Sequence, residues 1–252
     1  MKPSFSSLIA ALLLLLSPET SPCGEVRVAA ASNFRDALEE LSVEFEEQSA
    51  HDVVLIFGAT GKHYAQVVHG APFDVFFAAD TARPERLEKE GLAVSGSRFT
   101  YAIGRLALWS TNADLVDPEG LAIGQGEYRH LAIANPELAP YGRAAKETLQ
   151  SLGLWDTVSN HLVTGENIGQ TFQFVASGNA ELGLVAWSQL QGGGAGLGGS
   201  RWLVPDTLHR PIEQQAVLLK PGDAAESFLA FLRSAKAVEI IRAHGYGVPD
   251  DL

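Results

Sequence analysis

Ala29-Ala30-Ala31-Ser32-Asn33-Phe34 joins two different patterns. Before it, Glu25-Val26-Arg27-Val28-Ala29-Ala30 reads as a short strand. After it, Phe34, Leu38, Leu41 and Phe45 recur at helical spacing, with Asp36, Glu39, Glu40, Glu44, Glu46 and Glu47 mostly on the opposite face. A Ser-Asn pair at such a junction is an expected N-cap, and the backbone N–H groups just past it lack partners within the helix. A strand that feeds straight into a helix start is the repeating unit of doubly wound α/β sheets, and its helix terminus is a natural seat for an anion.

The same punctuation recurs along the chain. The run 52–57 (DVVLIF) predicts a second strand, broken by Gly58-Ala59-Thr60-Gly61 before a helix over 62–68 that Gly70-Ala71-Pro72 ends. A third strand is predicted over 73–78, apolar throughout as in a buried parallel sheet, with a helix over 84–90. Residues 101–110 (YAIGRLALWS) are long for one strand, and such a segment can cross between two sheets. Further strand, turn and helix units are predicted at 131–134 with 143–152 and at 161–164 with 170–177. A return strand follows at 182–186. The segment 191–200, with six glycines, reads as a surface loop, because no helix start follows it as a phosphate cradle requires. A strand over 214–219 and one terminal helix over 224–244 complete the chain and are expected to return to the first lobe. This alternation predicts two doubly wound α/β lobes with a hinge and a ligand beyond the strand C-termini.

At 252 residues and 46% apolar content, the chain can bury one large core or two moderate ones. Lys2, the apolar run 8–16 and Pro18 form a signal peptide, since nine apolar residues are too few to span a bilayer; we assign 1–24 to it. Ser21 and Cys23 are small residues at the positions a signal peptidase reads, which favours cleavage after Cys23. A lipid anchor on Cys23 is the competing reading, and Thr20-Ser21-Pro22 is a poor box for it. The net charge of −12, unchanged by loss of Lys2 and Glu19, excludes nucleic acid and acidic membrane surfaces as partners. Any bound anion must therefore be attracted by local N–H and O–H dipoles.

Signals for catalysis are missing. The sequence has no Gly-x-Ser-x-Gly elbow, no His-Glu-x-x-His and no Cys/His cluster, and its seven histidines are scattered, so neither an enzyme nor a cation site nor a cofactor is expected. A hydrolase with Ser32 as nucleophile is the alternative from another class, and it requires a histidine base in hydrogen-bond reach. Gly58-Ala59-Thr60-Gly61-Lys62-His63 lacks the leading glycine of a P-loop and has His63 where Ser or Thr must hold Mg²⁺. Asp74 and Asp80 flank an apolar strand and read as capping or hinge groups rather than an acid–base pair.

Taken together, Ala-Ala-Ser-Asn-Phe at 30–34, Gly-Ala-Thr-Gly at 58–61, Gly-Ala-Pro-Phe-Asp-Val-Phe-Phe-Ala-Ala-Asp at 70–80, Asn-Pro-Glu-Leu-Ala-Pro-Tyr-Gly at 135–142 and Glu-Asn-Ile-Gly-Gln at 166–170 resemble the periplasmic molybdate-binding proteins of ABC importers. The resemblance covers about 26–248. It implies a type II periplasmic-binding-protein fold, with lobe 1 formed by 25–101 and 212–252 and lobe 2 by 102–211. It further implies a periplasmic monomer that holds molybdate or tungstate between its lobes and docks on a membrane permease. The family's ligand contacts fall on Ser32, Asn33, Thr60, Tyr141 and the backbone at Ile168. Two departures stand out: Thr60 replaces a serine of the better-known subgroup, and Ala186 stands where that subgroup has a tyrosine. The chain is similar instead to a second subgroup in which the Pro-Tyr-Gly tyrosine, here Tyr141, supplies the contact. An all-donor set of hydroxyls and N–H groups suits a fully ionised tetraoxyanion and disfavours hydrogen phosphate, whose proton would lack an acceptor.

Overall fold

A computed structural model describes residues 24–126, 128–191 and 197–250. The expected signal peptide, apart from Gly24, and residues 192–196 of the glycine-rich segment lie outside the described residues.

The chain opens with β1 (Glu25–Ala31), a 3-10 turn over Ser32–Phe34, and α1 (Arg35–Gln48). There follow β2 (Asp52–Gly58), α2 (Thr60–Val68), β3 (Val75–Ala78), α3 (Ala82–Lys89), β4 (Phe99–Gly104) and β5 (Leu106–Ser110). The middle of the chain holds α4 (Ala122–Gln125), β6 (Leu131–Ala134), α5 (Pro140–Ser151), α6 (Trp155–Val158), β7 (Leu162–Gly165) and α7 (Ile168–Ala176). It closes with β8 (Leu182–Ala186), β9 (Ser200–Leu203), β10 (Ile212–Leu218), α8 (Asp223–Phe231) and α9 (Ala235–Ala243).

These strands form two five-stranded sheets of matching design. One has the order β2-β1-β3-β10-β4, the other β7-β6-β8-β5-β9. In the first, β1 lies between β2 and β3, parallel to both, while β10 runs antiparallel to β3 and β4. In the second, β6 lies between β7 and β8, parallel to both, while β5 runs antiparallel to β8 and β9. The sheets are therefore mixed rather than purely parallel. The chain crosses between them twice, at Arg105 and in the segment between Leu203 and Ile212.

Each sheet is buried on both faces, which explains the near-continuous apolar strands. Val26, Val28, Ala30 and Phe77 pack under α1, α8 and α9 with Phe34, Leu38, Leu41, Phe228 and Ile241, while Ala29 and Phe76 face Val67 of α2 and Leu87 of α3. In the second sheet Leu106, Leu108, Leu182 and Leu184 share a core with α5, and Ala107, Trp109 and Val185 share another with Val175 of α7. Truncating a buried Leu or Phe in cores of this kind costs about 2–5 kcal/mol.

Two expectations need correction. The C-terminal 224–244 segment is two helices, because Ser234 adopts an extended backbone and its side chain caps α9 by accepting from the N–H of Ala237 (3.2 Å). The Ser-Asn pair is not a side-chain cap either: Ala31 occupies the N-cap position of the 3-10 turn, no side chain caps it, and α1 begins only at Arg35. Of the two aspartates expected to cap or hinge, Asp80 bonds the start of α3 while Asp74 tethers β1. Asp74 accepts from the N–H of Arg27 (2.8 Å), and Asp80 accepts from the N–H of Arg83 (3.1 Å) while pairing with its guanidinium.

Candidate functional site

Two neighbouring parallel strands from each sheet point their C-termini at one place. β1 ends in the Ser32 turn and β2 in α2; β6 leads through 135–139 into α5, and β7 leads into α7. Alanine stands at the N-cap of the 3-10 turn, of α2 and of α5, so no side chain covers these three termini. Uncapped helix starts leave N–H groups and the positive end of the helix dipole for another partner. At α7 the N-cap is Asn167, whose side chain accepts from the N–H of Gln170 (3.0 Å).

The four termini enclose a small cavity. Ala31, Ser32, Asn33, Ala59, Thr60, Tyr141, Asn167 and Ile168 are among its lining residues, so all five positions expected from the sequence meet there. The cavity volume is about 10 Å³, too small for an organic chain. A wider cleft of about 740 Å³ shares Ser32, Asn33 and Asn167 with it and extends past Arg35, Phe57, Gln170 and His244.

The hydroxyls differ in what they already do. Thr60 Oγ1, buried, accepts from the N–H of Ala79 (3.2 Å), which leaves its own hydrogen to give. Tyr141 Oη accepts from Gln214 Nε2 (3.3 Å) and is likewise left with a hydrogen to donate. Burial pushes the Tyr141 hydroxyl well above the ordinary phenol range, so it is a donor at any physiological pH. Ser32 Oγ is engaged across the cleft: it donates to Asn167 Oδ1 (3.1 Å) and accepts from the N–H of Gly169 (3.1 Å).

Asn33 lines the cavity, but its carboxamide is turned away, donating to Gln214 Oε1 (2.8 Å) and Tyr246 Oη (3.1 Å). Ile168 is the first residue of α7, and its carbonyl accepts from Gln189 Nε2 (3.3 Å). The close approach of α5 to β6 depends on Gly142, where a Cβ would collide with the carbonyl oxygen of Ala134.

Among the described residues the hydroxyl partners of Ser32 are Asn167 and Gly169. His63 is tied to the carbonyl of Ala30 (3.1 Å) and to Gln66 (2.9 Å), and burial holds its imidazole below the ordinary value. Among the described residues no group of three or more His, Cys, Asp or Glu is placed to hold a metal ion.

Gln214, Tyr246 and Tyr101 are the supporting residues that sequence reading missed. Gln214 Oε1 accepts from Asn33 and from Tyr101 Oη (3.1 Å), and Tyr246 Oη donates to the carbonyl of Asn33 (2.6 Å). The available signal was a pair of glutamines, Gln214 and Gln215, at the head of a segment that is otherwise apolar to Leu219.

Residues 26–247 match the family described as bacterial extracellular solute-binding protein. The chain is similar to the molybdate-binding protein ModA of Azotobacter vinelandii, 47% identical over 248 residues that cover 97% of this chain and 98% of that one. It is equally similar to ModA of Rhodobacter capsulatus, 47% identical over 226 residues covering 88% of each. Among solved structures, the periplasmic molybdate-binding protein of Azotobacter vinelandii superposes with a TM-score of 0.87 at 43% identity, covering 89% of this chain and 100% of that one.

Proposed function

The chain belongs to the family of bacterial extracellular solute-binding proteins, and from that premise we propose that it captures molybdate in the cavity between its lobes and hands it to an ABC importer. The observation that carries the reading is the cavity itself: four chain turns meet there, and three of the helical starts are left without a capping side chain. Molybdate is fully ionised at neutral pH and needs only donors, and the lining offers hydroxyls and helix-start N–H groups. Tungstate has the same charge and shape and is proposed as a second ligand.

Roles follow from the hydrogen bonds. Thr60 and Tyr141 donate their remaining hydrogens to the ion, and Asn33 and Ile168 donate backbone N–H groups. Ser32 turns its hydrogen from Asn167 to the ion as it binds. The lobes, one carrying β1–β4 and β10 and the other β5–β9, so that their boundary lies at Arg105 and not at the expected 101/102 inside β4, close over the ion by pivoting about the two crossing segments. Lobe closure presents the loaded form to a membrane permease. The protein acts as a monomer in the periplasm after loss of its signal peptide, and it binds without catalysing.

Thermal denaturation with each of molybdate, tungstate, sulfate and phosphate tests this reading, since a ligand specific for the native state raises the midpoint by mass action. Molybdate and tungstate raise it and the other two do not. A rise with phosphate alone refutes the proposal.

A further inference from the structure

Behind the cavity lies a chain of hydrogen bonds whose direction can be worked out from one end. Tyr246 Oη is 2.6 Å from the backbone carbonyl oxygen of Asn33. Two oxygens that close must share a proton, and only the tyrosine carries one, so Tyr246 is the donor there. Its oxygen must then accept from the Asn33 side chain 3.1 Å away, which fixes the NH₂ end of that carboxamide toward Tyr246. The same NH₂ gives its other hydrogen to Gln214 at 2.8 Å, so Gln214 presents Oε1 to Asn33, and that oxygen (3.1 Å) competes with the Ala78 carbonyl oxygen (3.3 Å) for the one hydrogen of Tyr101 Oη. The opposite end of the Gln214 carboxamide is therefore a donor, and it faces Tyr141 Oη at 3.3 Å. Tyr141 has to accept.

We propose that Gln214 is a specificity-determining positioning residue: it fixes the Tyr141 hydroxyl as a donor toward the cavity and so selects ions that carry no proton. The inference rests on the reading of the cavity as a molybdate site. Gln214 is fully buried and has no alternative partner in water, so its amide direction is set by Asn33, itself fixed by Tyr246. Reversing it would set NH₂ against NH₂ at Asn33. Hydrogen phosphate needs an acceptor for its own hydroxyl, and at this wall of the cavity the network presents a hydrogen instead. Gly104 guards the arrangement from behind, since a Cβ there would collide with the Tyr141 hydroxyl and crowd the Gln214 amide.

Calorimetric titration of molybdate and of hydrogen phosphate into the full mature chain tests the idea, using wild type, Tyr141→Phe, Gln214→Met, Gln214→Glu and the Tyr141→Phe/Gln214→Met double variant. Gln214→Met removes the directing amide at similar volume and weakens molybdate binding by about tenfold. In the double variant the loss stays within about twofold of that of Tyr141→Phe alone, because the two changes act through one hydrogen bond. Gln214→Glu puts an acceptor where the amide donated, so Tyr141 turns its hydrogen inward; molybdate loses at least about tenfold, while hydrogen phosphate binds as in wild type or tighter. Should the buried carboxylate prevent folding, the neutral Gln214→Met cycle decides the question alone. Additive losses in the double variant, or equal losses for both ions in the Gln214 variants, overturn the inference while a weakened Tyr141→Phe leaves the site reading standing. No molybdate binding by wild type, or wild-type affinity in Tyr141→Phe, overturns both.

Discussion

Thr60 and Tyr141 each carry a hydroxyl whose oxygen already accepts, from Ala79 and from Gln214, so each has one hydrogen to give. Deleting either should leave part of a buried charge unmet. Thr60→Ala and Tyr141→Phe are expected to weaken molybdate binding by about 1–3 kcal/mol each, read by titration calorimetry; unchanged affinity in either removes that residue from the site. A pH effect belongs to His63, whose folded-state value is depressed chiefly by burial. The unfolded chain then binds the extra proton as pH falls below about 6.5, so stability is full above that value and declines on acidification, by at most about 1.4 kcal/mol per pH unit for one proton. Denaturant melts from pH 7.5 to 5 should show this slope, with a shallower one for His63→Gln; equal slopes contradict it. That Ser32, Thr60 and Tyr141 line one cavity was legible through the family resemblance and the strand-to-helix turns that carry them. Gln214 was not, since its partners Asn33 and Tyr141 lie 181 and 73 residues away and the glutamine pair alone does not say what it bonds.

Elements follow the sequence wherever a helix or strand is set by its own periodicity, and depart from it at the ends. The strand at Leu182–Ala186 coincides with its expected bounds, whereas α2 and α5 begin two and three residues before theirs, at Thr60 and Pro140. That difference matters, because it puts Thr60 and Tyr141 in the first helical turn, where the free N–H groups are. The terminal helix was read as continuous because Phe228, Leu229 and Leu232 are followed by Ile240 and Ile241 in compatible spacing. The Ser234 cap that interrupts it is a single residue within that run. Asn167 supports α7 and latches Ser32. Asn167→Ala is expected to lower ion-free stability by about 0.5–2 kcal/mol, the usual loss for an N-cap, measured by urea unfolding. A change below about 0.3 kcal/mol would mean that the cap is dispensable.

The molecule as a whole is two similar halves joined by two crossing segments, and several polar contacts bridge the cleft between them. Ser32 bonds Asn167 and Gly169, Ser188 donates to the carbonyl of Asn33 (3.3 Å), Gln214 donates to Tyr141 (3.3 Å), Gly61 donates its N–H to the carbonyl of Leu138 (2.8 Å), Arg83 donates to the carbonyl of Glu137 (3.0 Å), and Lys62 pairs with Glu166. The last pair is half exposed and contributes little, on the order of 0–1 kcal/mol. Small-angle scattering should give a smaller radius of gyration with molybdate than without it, and identical curves would argue against hinge closure. Alternating strand and helix signals made the two-lobed α/β architecture legible, but not the antiparallel placement of β5 and β10, which depends on long-range pairing. The central claim, that uncapped chain turns from both lobes form a donor cage for one unprotonated oxyanion, is tested most directly by titrating molybdate into the protein in the presence of excess hydrogen phosphate. The account predicts saturable binding of one molybdate per chain that hydrogen phosphate does not suppress. Absence of binding, or its abolition by hydrogen phosphate, would contradict it.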